Sequence, residues 1–364
     1  MKLTLYLVSV IRGERHGPIA GLLRGILAAL SYVYAAGLWL FFLPYRLGIR
    51  KRTRLSRPVI SIGNLTVGGT GKTPMTQLVC EFLRARGLRP CVLSRGYRGE
   101  NELGVAVVST ETKVELDPKA AGDEAYLLAK MLPSVPVVVG KDRRKSGALA
   151  IERFQPDVLV LDDGMQYYWL HRDLEIVLLD ALRPFDNGYA FPRGLLREPP
   201  SHLRRANAIV ITNVDKASPA QLETARRKVS QLAPRVPLYT ARYAPVTLRA
   251  LDRSAEQRPE WLRERRVASF CALGNPGAFE EQLRQAGAEV VHSVRMDDHD
   301  APTMGDLNAL IADACERGAE AVIVSEKDAV KLPPLGRPLP FYALVVRQQL
   351  DDESAFFAQI LKCL

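Results

Sequence analysis

"SIGNLTVGGTGKTP", residues Ser61 to Pro74, ends in glycine, lysine and threonine directly before a helical pattern, and this junction decides the fold. A short apolar run, "PVISIGN", leads in, and "GKTPMTQLVCEFLRARG" leads out, closed by Gly87. Strand, glycine-rich turn and helix N-terminus in that order make an anion seat, because the turn amides and the positive end of the helix dipole converge on one place. In the pattern G-x-x-x-x-G-K-[ST] the lysine reaches the β and γ phosphates and the hydroxyl ligates magnesium. Gly71, Lys72 and Thr73 fill its last three positions; Thr66 stands where the first glycine is expected, and Gly68 and Gly69 lie inside. Thr66, Val67, Gly68, Gly69, Thr70, Gly71, Lys72 and Thr73 are therefore the expected nucleotide-binding loop.

Ninety residues after Lys72 comes "VLVLDDG", an apolar strand ending in Asp162 and Asp163. A magnesium–phosphate site needs hard carboxylate oxygens beside the loop, and two aspartates at the end of a buried strand supply them. Alone, the same three residues read as a solvated turn. Beside the loop they read as a metal-binding element, with Thr73, Asp162 and Asp163 as ligands.

From Pro58 onward, short β-branched runs alternate with helical stretches, the mark of a mainly parallel sheet covered by helices. "PCVLSR", "VPVVVG", "DVLVLDDG", "LEIVLLD", "NAIVITN" and "PLYTARYAP" are the further strands of the first unit. A polar stretch near Arg253 to Arg266 precedes a second series, "RVASFCALG", "EVVHSV", "AEAVIVSEKD" and "PFYALVV", with helices between. The expected fold is α/β: a P-loop NTPase-type sheet flanked by helices over 58–245, a second, smaller α/β domain over 246–364 closing over the site, and an N-terminal membrane helix within 1–57.

The net charge of +10 is concentrated at one end. Residues 1–60 hold ten lysines and arginines against Glu14 alone, so the remaining chain is almost neutral. That asymmetry points to anionic lipid rather than to a nucleic-acid groove, and no zinc-finger, basic-zipper or RNA-recognition pattern is present. Between Arg24 and Arg46 lies "GILAALSYVYAAGLWLFFLPY", uncharged and long enough to cross a hydrocarbon core or to lie in its surface. The basic run "RLGIRKRTRLSR" follows, which sets the body on the cytoplasmic side. Five cysteines without a C-x-x-C pair read as reduced thiols of a cytosolic body.

The ordered series "GNLTVGGTGKTP", "LSRGYRG", "AGDEAYLLA", "LDDGMQY", "GLLREP", "LGNPGAFEEQL", "DHD" and "SEKDAVKL" resembles the tetraacyldisaccharide 4′-kinase family over nearly the whole chain. The resemblance implies ATP and Mg²⁺ as cofactors and phosphorylation of the 4′-hydroxyl of a tetraacylated glucosamine disaccharide 1-phosphate, a lipid A precursor, at the cytoplasmic face of the inner membrane. It implies a membrane-embedded glycolipid as substrate and anionic inner-membrane lipids as partners, and it calls for no nucleic acid and no obligate protein partner.

By the same resemblance Asp123 is the base that accepts the sugar hydroxyl's proton, and His299 pairs with it; a helix cap and a lone surface histidine are the plainer alternatives. Glu198 is implied near the metal, with a surface salt bridge as its alternative. Arg95, Arg143 and Arg144 are candidates for the substrate's 1-phosphate or the nucleotide's phosphates. Two positions depart from the family pattern: Tyr167 stands where histidine is usual, and Arg98 where glycine is common. "TNVD" at Thr212 to Asp215 faintly echoes a guanine-reading motif with the lysine misplaced, so ATP is the expected nucleotide. The competing functions are a membrane-anchored P-loop ATPase acting as a switch and a non-catalytic scaffold with a degenerate loop.

Overall fold

The computed structural model describes residues 9–11, 15–252, 254–273, 276–296, 302–329, 332 and 338–364. They divide into two compact units, one of residues 1–242 with 348–364 and one of residues 243–347.

In the first unit a long helix, α1 (Pro18–Arg46), precedes the sheet. The strands are β1 (Val59–Asn64), β2 (Pro90–Ser94), β3 (Val105–Ser109), β4 (Val137–Gly140), β5 (Val158–Asp162), β6 (Leu174–Asp180), β7 (Ala208–Thr212) and the start of β8 (Leu238–Ala250). Their order across the sheet is β8-β7-β6-β1-β5-β2-β4-β3, parallel except for β3, which runs antiparallel at the edge. β1, β5 and β7 are buried at every position, which is why β5 and β7 read as apolar runs up to their last residue rather than as alternation. β1 sits between β5 and β6, so the chain leaves the carboxyl end of β1 at a point where the winding reverses, the usual place for a ligand in an open α/β sheet.

Helices cover both faces. α2 (Lys72–Ala85) and α3 (Asp123–Met131) bury Met75, Val79, Leu83 and Leu128 in one core layer. α4 (Arg143–Phe154) packs Ala150 and Phe154 in a second layer, and α5 (Pro219–Leu232) packs Ala225 and Val229 in a third. Cys80 and Cys91 are buried, and all five cysteines of the chain are free thiols.

The second unit has strand order β11-β10-β12-β13, formed by β10 (Arg266–Cys271), β11 (Glu289–Arg295), β12 (Ala321–Ser325) and β13 (Phe341–Leu350), all parallel. The short β9 (Glu256–Gln257) pairs antiparallel with the far end of β8. Helices α6 (Pro276–Gln285) and α7 (Met304–Glu316) accompany this sheet. The expected extent of this unit, 246–364, differs at its end: residues 348–364 belong to the first unit. The cause is the apolar face of α8 (Glu353–Leu361), where Phe356 and Ile360 join the layer under α2 and Phe357 stacks on Phe82 at 3.9 Å.

Along α1, the buried or half-buried positions 20, 23, 24, 27, 28, 31, 34, 35, 38, 41, 42 and 45 form one stripe at helical spacing, which broadens at Leu43 and Pro44 near the end of the helix. From Ser31 onward this stripe meets the body. Phe42 packs edge-on against Tyr168 and His202 at 4.7 and 4.9 Å, and Phe41 against Trp169 at 5.6 Å. The other faces expose Ile19, Leu22, Ile26, Leu30, Val33, Trp39 and Leu40.

Candidate active site

The loop after β1 is built from opposed backbone demands. Gly68 and Gly71 have φ of 128° and 84°, values that L side chains rarely adopt, and Gly71 is the N-cap of α2. Thr66 needs no glycine: it forms an antiparallel bridge with Leu196, and the Val67 amide donates to the Leu195 carbonyl at 2.8 Å. This explains the threonine at the first glycine position and leaves Gly68 to Thr73 as the open part of the loop. Asn64 Nδ2 donates to Thr70 Oγ1 at 2.7 Å, and the Thr70 and Gly71 carbonyls accept from Thr212 Oγ1 and Gln348 Nε2 at 3.0 and 3.2 Å. With these carbonyls satisfied from behind, the amides at the start of α2 face forward.

Beside the loop, β5 ends in Asp162 and the chain turns left-handed at Asp163, φ 54°. Close approach fixes the turn, since a Cβ on Gly164 would lie 2.4 Å from Ser61 Oγ. The two carboxylates sit in different electrostatic surroundings. Asp163 receives both arms of Arg197, at 2.9 and 2.8 Å, and Lys72 Nζ at 3.8 Å. Burial raises its pKa, but Arg197, Lys72 and Arg143 outweigh burial and hold it below the ordinary carboxylate value. Asp162 is fully buried and accepts from Thr76 Oγ1 at 3.0 Å. Burial, then the charges of Asp163 and Glu124, push it up to about 7.

Among the described residues no group of three or more His, Cys, Asp or Glu side chains forms a metal cage. Mg²⁺ does not ask for one, because it keeps waters and phosphate oxygens and takes only one or two carboxylates. Asp162, whose pKa burial raises, would give up its proton to a bound cation and so has the chemistry of such a ligand.

Asp123 is the first residue of α3, exposed, and makes no capping bond with its side chain; Gly122, φ 83°, is the cap. The helix start is pinned by contact with the loop after β2: a Cβ on Gly122 would lie 2.7 Å from the Tyr97 carbonyl, and one on Gly99 would lie 2.7 Å from Ala121. Arg98 in that loop has a φ of 62°, a conformation glycine adopts freely, and its amide donates to Glu102 at 3.1 Å. His299 lies outside the described residues.

The three candidate arginines separate by their partners. Arg95 pairs with Glu102 at 2.7 Å, and Arg144 grips Asp142 at 2.9 and 2.7 Å. Arg143 is buried, donates to the Lys141 carbonyl at 3.1 Å, lies over the Tyr167 ring at 5.3 Å and has a buried Nε with no bond. Its unbonded donor is a buried one, which sets it apart from the two arginines paired with carboxylates. Tyr167 donates its hydroxyl to Asp142 at 2.5 Å; burial, then this bond, push its pKa up to about 12.

Glu198 is buried and accepts from His202 Nδ1 at 2.6 Å and Arg205 at 2.7 Å, while its Oε1 has no partner. Burial opposes its ionisation, but the His202 and Arg205 contacts keep its pKa below the ordinary value. Asn213 donates to Asp180 at 2.5 Å and accepts from Lys216 at 3.0 Å, so its amide is engaged within the fold rather than free to read a base.

Sequence reasoning passed over Arg197, which sits one residue before Glu198 in "GLLREP". Besides Asp163, its guanidinium donates to the Asn64 carbonyl at 3.2 Å and to the Asn64 side-chain oxygen, so it ties the base of the loop to the aspartate turn. The only local signal was its place within a motif.

The profile of the family described as tetraacyldisaccharide-1-P 4′-kinase matches residues 23–364. Tetraacyldisaccharide 4′-kinase of Geobacter metallireducens is 40% identical over 344 residues, covering 94% of this chain and 99% of that protein. The enzyme of the same name from Pelobacter propionicus is 39% identical over 348 residues, covering 96% and 94%. Among solved structures, "apo" form LpxK from Aquifex aeolicus in complex with ATP superposes with a TM-score of 0.74 at 32% identity, covering 94% of this chain and 99% of that one. A glycine-rich loop, a lysine approaching Asp163 and end-to-end similarity to these enzymes lead to one assignment: the chain belongs to the tetraacyldisaccharide-1-P 4′-kinase family.

Proposed function

We propose that this protein transfers the γ-phosphoryl group of ATP to the 4′-hydroxyl of a tetraacylated glucosamine disaccharide 1-phosphate. The observation that carries the reading is the approach of Lys72 to Asp163 at the open end of the loop, with the buried Asp162 carboxyl beside it. ATP supplies the phosphoryl group, and Mg²⁺ neutralises charge on its phosphate oxygens. The chain's own residues do the rest. Lys72 and the loop amides bind and orient the phosphates, Asp162 and the Thr73 hydroxyl would hold the metal, and Asp163 orients Lys72. Asp123, exposed and free of a capping duty, takes the proton from the sugar hydroxyl, and His299 orients it. Arg143 takes a phosphate oxygen, where a fork of donors suits the anion better than a point charge.

The acceptor carries four acyl chains and stays in the bilayer, so attachment at the inner membrane's cytoplasmic face is part of the function. α1 is about 43 Å long. Its residues from Ser31 to Tyr45 pack on the body, Ala20 is buried, and the Ile11 carbonyl ahead of the helix accepts from Arg193 at 3.1 Å, so no stretch of α1 as long as the ~30 Å hydrocarbon core stands clear of the protein. This supports α1 lying in the plane of the membrane with its apolar faces in lipid, and the basic residues Arg46, Arg50, Lys51 and Arg54 at the anionic headgroups.

The test is to incubate the purified protein with ATP, Mg²⁺ and a tetraacyl disaccharide 1-phosphate and to weigh the lipid by mass spectrometry. The expected result is one added phosphate. ATP hydrolysis at the same rate without lipid, and no phosphorylated lipid, would favour the switch reading instead.

A further inference from the structure

α1 and the nucleotide loop hold the same short segment from opposite sides. On the loop side, the Arg197 amide donates to the Leu65 carbonyl at 2.7 Å, and the Arg197 guanidinium holds Asp163 and Asn64. On the helix side, the Ser31 hydroxyl donates to the Ala190 carbonyl at 2.9 Å, and the Tyr34 hydroxyl donates to the Arg197 carbonyl at 3.0 Å. The Tyr34 ring also meets Phe191 edge-on at 6.2 Å. One residue therefore has its amide on the loop, its side chain on the aspartate turn and its carbonyl on the membrane helix.

We propose that Tyr34 is a positioning residue for the ATP site, acting through Arg197, so that nucleotide affinity depends on how α1 is seated. The physical basis is the fixed peptide plane. With its carbonyl released, the 197–198 peptide can rotate, and the guanidinium loses the direction that a bidentate bond to Asp163 requires. Asp163 then carries more uncompensated charge where phosphate must sit. Reciprocity follows: if α1 seating strengthens ATP binding, ATP strengthens α1 seating by the same factor. Arg197, Asn64 and the loop read the nucleotide, whereas Tyr34 lies on α1, whose opposite faces carry Ile26, Leu30 and Val33.

The inference rests on the ATP-binding reading of the loop, and the experiment separates the two. Full-length protein in dodecyl maltoside micelles is titrated with Mg·ATP by calorimetry, as wild type, Tyr34→Phe and Tyr32→Phe; Tyr32 is exposed on another face of α1. Wild-type binding tests the ATP reading by itself. The coupling predicts that Tyr34→Phe raises the ATP Kd about three- to tenfold, the loss of one hydrogen bond. The KM for ATP should rise in step, the KM for the lipid acceptor should stay within about twofold, and Tyr32→Phe should leave all three unchanged. A purely structural role would move both KM values or neither. In wild type, saturating ATP should slow hydrogen exchange in residues 27–38 and 189–198, a readout independent of any variant's folding. A Tyr34→Phe affinity equal to wild type, or exchange in 27–38 unaffected by ATP, overturns the proposal.

Discussion

The guanidinium of Arg197 faces both oxygens of Asp163, and Lys72 approaches the same carboxylate from the loop. Asp163 thus holds its charge against two cations, while burial pushes the pKa of Asp162 next to it up to about 7. Two neighbouring aspartates with the same intrinsic chemistry are set to different tasks by what stands beside them.

Arg197→Lys keeps the charge but loses the fork. The expected outcome is a fall in kcat/KM for ATP of about ten- to a hundredfold, the worth of a charge-assisted hydrogen bond, with the KM for ATP carrying much of it. Steady-state kinetics at saturating lipid check this. A wild-type value would mean that Arg197 serves the fold alone.

The Asp162 carboxyl gives a pH signature with a defined sign. Its pKa in the folded protein is raised from 3.8 to about 7, so the native state binds the extra proton across that interval. Its contribution to stability is complete below the unfolded value and is lost as pH rises through about 7. Without nucleotide and metal, wild type should lose stability relative to Asp162→Asn between pH 4 and pH 8. Urea midpoints of the two proteins over that range check it, and a constant difference would contradict the buried, protonated state.

Asp123→Asn keeps the shape and removes the proposed base. Because Asp123 is exposed and Gly122 is the cap, stability should change by less than about 0.5 kcal/mol. The kcat should fall by about a hundredfold or more, with ATP binding intact. Thermal unfolding, calorimetry with ATP and single-turnover rates separate these effects.

Tyr167→Phe deletes one hydroxyl and keeps the ring under Arg143. Loss of the bond to Asp142 should cost about 1 kcal/mol of stability. Activity should fall much less than in Tyr167→Ala, which removes the surface on which Arg143 lies. Parallel denaturation and rate measurements check the order.

Most of the first unit is legible from sequence because its strands are mostly parallel and covered on both faces: β5 and β7 are apolar up to their last residue, and glycines mark the loop after β1. Val105–Ser109 escapes notice because it is an antiparallel edge strand among polar turns. The destination of α8 is not written in its own residues; an amphipathic helix says that it packs, not on which unit. α1 hides its docked stripe for a related reason. Being apolar on every face, it offers no periodicity to read, and only contacts with residues more than a hundred positions away mark the side that meets the body. Arg197 is invisible for the same cause: its partners Asp163 and Asn64 lie 34 and 133 residues off. His299 lies outside the described residues, so its pairing with Asp123 rests on sequence.

The aromatic stripe of α1 makes the helix a wall of the fold as well as the proposed membrane anchor. Phe41, Phe42 and Tyr45 roof Tyr168, Trp169 and His202. Cutting the chain at residue 57 would strip that roof, leaving a bare aromatic floor in water beside the segment that braces the loop. The product would be a sticky, loosened kinase rather than a soluble one. Anyone seeking a detergent-free form should keep the docked stripe and make polar only the outward residues, Leu22, Ile26, Leu30 and Val33.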